Sequence, residues 1–195
     1  MQKKNSTSSN LVKLIVLALL GTISFVLMFL SFPLPFLPPY LKIDFSDIPA
    51  LMAGLIFSPF AGIVVVGVKN ILYLIIGTGE PVGVTANFLA GVMFIFPVAY
   101  LYHRYKSVKS IISGLITGTL VMAISMSILN YLVILPIYAW FMGMDEMRTE
   151  GAMRIAVLAG ILPFNIIKGV IVGMFFVPFY NKMRKWIDQK SASVT

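Results

Sequence analysis

The stretch GVKNILYLIIGTGEPVGVTANFLAG, residues 67–91, decides how this chain folds. An apolar run reaches Ile76, the turn GTGEPVG (77–83) breaks it, and a second apolar run starts at Val84. Two apolar helices joined by a glycine- and proline-rich turn read as a hairpin in a bilayer. Yet Lys69, Asn70 and Asn87 lie inside those runs. A lysine at the centre of a membrane helix costs about 2.5–3.5 kcal/mol on insertion scales. Such a residue faces a bundle interior or a water-filled cavity, and so marks a candidate site.

The rest of the chain extends the same pattern. Of its 195 residues 59% are hydrophobic and only 11% are charged, with mean hydropathy +0.95. A soluble domain carries about 25% charged residues, so the composition describes an integral, multi-pass protein of the cell membrane. The length suits one all-α transmembrane domain over 1–195, a bundle of six helices, with no room for a separate soluble domain. The apolar runs and their breakers predict helices at about 11–30, 48–57, 60–76, 84–102, 110–140 and 153–186. The first run follows Lys3, Lys4 and Lys13, is too long for a signal-peptide core, and ends in prolines, so it reads as a retained helix. Between the first two helices, FPLPFLPPYLKIDFSD (32–47) has prolines at 33, 35, 38 and 39, which forbid a continuous helix. Being apolar and aromatic, it reads as a structured cap over the bundle mouth, with Ser46 or Asp47 capping helix 2. The tail DQKSASVT (188–195) reads as disordered.

The net charge of +8 has a topological reading. With both termini cytoplasmic, ten of fifteen basic residues fall in inside segments and six of seven acids outside. That agrees with the positive-inside rule. No nucleic-acid partner is implied. The absence of cysteine excludes disulfides and thiol chemistry.

The buried polar residues form a group. Counted at about 1.5 Å per residue from the outer helix ends, Asn87, Asn130, Asn70 and Asn165 lie within roughly 5–16 Å of the outer face, with Lys168 one turn deeper. Asn165 and Lys168, spaced i, i+3, share a helix face. Lys69 leans the other way and reads as a cavity floor, a partner for a helix end, or a snorkelling cation. No acid is expected at comparable depth; Asp44 and Asp47 read as rim residues. Phe32, Phe36, Tyr40 and Phe45 could stack on a flat ligand, and His103 reads as a solvated loop residue. Amides and an ammonium without a carboxylate fit a neutral, flat, hydroxylated metabolite better than a cation.

The segments 32–62, 67–91 and LPFNIIKG (162–169) together resemble the substrate-binding S components of energy-coupling factor (ECF) transporters, in particular the riboflavin-binding branch. The resemblance implies a six-helix S-component fold with the proline-rich extracellular loop 1 as a lid over riboflavin. It also implies work with a transmembrane coupling subunit and two ATP-binding subunits. Carried onto this chain, Asn87, Asn130, Asn165 and Lys168 are the expected ligand contacts, with Leu41, Ile43, Asp44, Asp47, Ala90, Gly91 and Lys69 as further candidates. The small residues Ala18, Gly21 and Thr22 resemble the family's partner-contact stripe, with Thr22 departing from alanine. Riboflavin would be transported cargo; no cofactor is implied.

Two other classes compete. A stand-alone ion-coupled carrier needs an intramembrane acid or a sodium site, and none is apparent. An intramembrane enzyme would have to rely on a pairing such as Ser125 or Ser127 with Lys168, and serines have a routine role in helix packing. The chain also lacks the GxxxxGK[ST] phosphate loop, so it does not hydrolyse ATP by that route.

Overall fold

A computed structural model describes residues 3–76, 79–143 and 149–194. Six helices carry the fold: α1 Lys3–Met28, α2 Asp47–Ile56, α3 Pro59–Ile75, α4 Pro81–Tyr105, α5 over 108–142 and α6 over 150–194. Between α1 and α2 the chain forms a minimal antiparallel ladder, β1 Phe32–Pro33 against β2 Lys42–Ile43. Residues 77–78, within the predicted 77–83 turn, and 144–148, between the predicted helices at 110–140 and 153–186, lie outside the described residues.

Helix starts follow local chemistry that the apolar pattern alone does not reveal. α4 begins three residues before the predicted Val84, because Pro81 occupies its first turn and the Glu80 carboxylate accepts from Val82 N (2.9 Å) and Gly83 N (3.2 Å). Ser58 caps α3 by accepting from Ala61 N at 3.2 Å. Ser107 and Ser110 form a reciprocal capping box at the start of α5. Ser46 holds the cap position of α2 but makes no side-chain cap; its hydroxyl is used elsewhere. Residues 188–194 of the tail, expected to be disordered, are helical instead: α6 continues to Val194, since nothing after Pro178 breaks a helix. His103 is likewise not a solvated loop residue. It sits in the last turn of α4, half-buried, with Nε2 donating to Gly54 O at 2.8 Å. That satisfies a carbonyl left over at the end of α2.

Among the described residues four stretches are long and apolar enough to cross a membrane: Asn10–Met28, Pro81–Tyr105, Val108–Phe141 and Glu150–Arg184. The other two helices are shorter and turn back on each other at residues 57–58. α2, with ten residues, rises only about 15 Å, half of a hydrocarbon core of about 30 Å. All of it from Pro49 to Ile56 is buried. The end of the 31–46 segment, buried at Ile43, Asp44 and Ser46, therefore comes down into the bundle to meet the start of α2. Irregular backbone at that depth is tolerated because protein surrounds it.

α5 and α6 each contain a π-helical turn, at Asn130–Ile134 and Ala156–Ile161. Each precedes a proline, Pro136 or Pro163. Proline has no amide proton and its ring crowds the carbonyl four residues back, here Leu132 and Ala159, which widens the turn.

α4 and α5 pack through glycines. A Cβ on Gly114 would come within 2.8 Å of Val98 Cα, and one on Gly118 within 2.5 Å of Phe94 O. Small residues let membrane helices approach this closely. We expect Gly118→Ala to push the two backbones apart at a cost of about 1–3 kcal/mol. Thermal unfolding in detergent should show a melting temperature several degrees below the parent.

Candidate functional site

A cavity of about 170 Å3 opens between α4, α5, α6 and the end of the 31–46 segment. It is lined by Asn87, Asn130, Asn165 and Lys168, with Leu41 and Ala90 among the apolar walls. A second cavity of about 280 Å3 adjoins it and shares the lining residues Tyr40, Lys42, Glu80, Gly83, Asn87 and Tyr138. Together they reach the range of small-molecule sites, roughly 300–1,000 Å3.

The amides are oriented by their own helices. Asn130 Nδ2 donates to Met126 O at 2.7 Å, and Asn165 Nδ2 donates to Ile161 O at 2.8 Å. Only the NH2 end can bond a carbonyl, so the chemistry fixes which end is which. Each amide keeps its Oδ1 and one N–H for a ligand. Asn87 Oδ1 is buried without a hydrogen-bond partner among the described residues. An unpaired buried acceptor costs about 1–3 kcal/mol, so a donor on the occupant is favoured there.

Behind the wall lies a charge cluster that contradicts the expectation of no acid at depth. Asp47 is fully buried between both lysines. Its Oδ1 accepts from Lys69 Nζ at 2.6 Å, and its Oδ2 lies 3.2 Å from Lys168 Nζ. The second contact is an ion pair without an aligned hydrogen bond. Lys69 also donates to Ser46 Oγ at 2.5 Å. The depth agreement is geometric. Asp47 and Lys69 each lie about ten residues, roughly 15 Å, from the 57–58 turn, on the two arms of one helical hairpin.

Over residues 12–180 the chain matches the family model described as ECF transporter, substrate-specific component. The chain is a substrate-specific (S) component of an ECF transporter. This makes it a multi-pass membrane subunit of a transporter, not an enzyme. The S component is 49% identical over 184 residues to the riboflavin transporter FmnP of Bacillus subtilis (strain 168), covering 93% of this chain and 96% of that one. It is 44% identical over 177 residues to the riboflavin transporter RibU of Staphylococcus aureus (strain TCH60), covering 91% and 93%. A solved structure described as the S component of a bacterial ECF transporter superposes with TM-score 0.78 at 44% identity, over 91% of this chain and 98% of that one.

Not every predicted residue of the S component reaches the cavity. Asp44 borders the adjoining space, whereas Ile43, Asp47, Gly91 and Lys69 line neither cavity. Ile43 is fully buried in β2. Gly91 sits under the charge cluster, where a Cβ would meet Val66 at 2.7 Å and Asp47 Oδ1 at 3.7 Å. Of the aromatics, Tyr40 lines both spaces, while Phe45 packs edge-on against Phe175 of α6 (4.9 Å between centroids) and near Phe32 (6.3 Å). Phe36 is exposed. The stripe on α1 is split: Gly21 packs inward on Val68, while Ala18 and Thr22 stay exposed.

Sequence reasoning missed Tyr138 and Glu80 as wall residues. Glu80 was legible as an acid beside Pro81 at a helix start. Tyr138 was not, because the π turn at Asn130–Ile134 shifts its phase around the helix.

Proposed function

We propose that this S component captures riboflavin and mediates its uptake. The observation that carries the reading is the mixed wall of the cavity: amide oxygens and the buried Lys168 ammonium converge among apolar side chains. A flavin ring offers one polar edge of C=O and N–H groups and otherwise flat apolar faces, and its ribityl chain adds hydroxyls. Asn87, Asn130 and Asn165 would bond such edges, Lys168 would donate to a carbonyl or hydroxyl oxygen, and Ala90, Leu41 and Tyr40 would cover the rings. The relatives named as riboflavin transporters support the same cargo.

The orientation that suits this role has both termini cytoplasmic and the 31–46 segment outside, closing as a lid; the distribution of lysine and arginine supports it. The partners we infer are one transmembrane coupling subunit and two ATP-hydrolysing subunits, with the exposed Ala18 and Thr22 of α1 available to contact them. An ion-coupled carrier is not favoured. The intramembrane acid it requires exists, Asp47, but both carboxylate oxygens face lysines.

Titration of the purified protein with riboflavin, followed by quenching of flavin fluorescence, tests the reading. Saturable one-to-one binding is expected, and fluorescence that stays unquenched overturns it. Asn165→Ala should weaken binding about 2- to 13-fold, the effect of one neutral hydrogen bond worth about 0.5–1.5 kcal/mol.

A further inference from the structure

Four buried charged side chains are described: Asp44, Asp47, Lys69 and Lys168. Of these only Lys168 lines the inner cavity. Its one ion-pair partner among the described residues is Asp47 Oδ2, at 3.2 Å. The loose alignment leaves ammonium protons for whatever occupies the cavity. Asp47, by contrast, faces a lysine with each of its oxygens. Lys69 holds Oδ1 at 2.6 Å and is itself held by Ser46 Oγ at 2.5 Å. The Ser46 backbone is fixed in turn: its N–H donates to Asp44 Oδ1 at 2.8 Å, and its carbonyl accepts from Ser24 Oγ of α1.

The geometry points to Asp47 as a positioning residue: it holds the Lys168 ammonium at the cavity wall without touching the ligand. The inference deepens the riboflavin reading and rests on it. Because Asp47 is shared between two lysines and meets Lys168 without an aligned hydrogen bond, the Lys168 ammonium stays available to an acceptor on the ligand. Lys69 sets that share by occupying the other oxygen.

The test separates this role from mere charge balance. Asp47→Asn with Lys69→Met removes one carboxylate and one ammonium, so the net buried charge equals that of the parent. If Asp47 positions Lys168, the double variant binds riboflavin about tenfold or more weakly. The same pair of changes on a Lys168→Met background then costs no further affinity, because the effect runs through Lys168. Lys69→Met alone keeps a neutral Asp47–Lys168 pair. It frees Oδ1, draws Lys168 off the wall and weakens binding about threefold or more, although Lys69 never reaches the cavity. A double variant or Lys69→Met that binds like the parent overturns the inference, as does an additive loss on the Lys168→Met background. A parent protein that binds no riboflavin overturns the functional reading, and this inference with it. A parent that binds, beside variants that bind equally well, overturns the inference alone.

Discussion

Lys168→Met is expected to weaken riboflavin binding by about 10- to 140-fold and to leave the bundle folded. A hydrogen bond from a charged donor is worth about 1.5–3 kcal/mol, and each 1.4 kcal/mol is tenfold in affinity. Lys168 is the one ammonium on the inner wall that is buried, so no neighbour at that depth replaces its donor. The fold survives because removing Lys168 leaves Lys69 and Asp47 as a one-to-one pair at 2.6 Å. Methionine also fills the volume of the lysine stem without burying a charge. Fluorescence titration gives the affinity, and a thermal scan in the same detergent checks the fold. Unchanged affinity would make Lys168 a structural counter-ion and remove the strongest polar contact from the proposed site.

Asp47→Asn is expected to have the largest effect on stability. It leaves two buried ammoniums without a carboxylate between them. Breaking a buried pair from one side costs about 3–5 kcal/mol, because the charge left behind is uncompensated. At about 2–4 °C per kcal/mol for a chain of this size, the melting temperature should fall by roughly 6–20 °C. About half of that loss should return when Lys69→Met is added, since one of the two unpaired cations then disappears. Thermal unfolding followed by static light scattering or intrinsic fluorescence reads both variants. A single variant as stable as the parent would mean that the cluster is far better hydrated than its burial indicates.

These two expectations also separate what was readable in the chain from what was not. The four asparagine and lysine positions assigned to the cavity, Asn87, Asn130, Asn165 and Lys168, were legible because a polar residue in an apolar run is conspicuous. Asp47 was not recognised as their partner. Beside Asp44, on a proline-rich segment, it resembled a rim acid. Its depth depends on α2 being a half-length helix, which brings the preceding segment down into the bundle. Tyr138 was hidden by a different cause. Eight residues after Asn130, it would stand about 80° off that residue's face in a regular helix. The π turn at Asn130–Ile134 takes up one extra residue, so seven regular steps remain and the offset falls to about 20°. Both side chains then line one cavity.

By itself the sequence determined the membrane class, the six helices and where prolines and glycines break them, because apolar run length and backbone chemistry are local properties. It also marked the residues too costly to leave facing lipid. Only the tertiary structure decided which charges meet: Asp47 comes from α2, Lys69 from α3 and Lys168 from α6. Ion pairing depends on distances between helices, and those are set by packing depth and helical phase, which a half-length helix and two π turns alter without changing the apolar pattern.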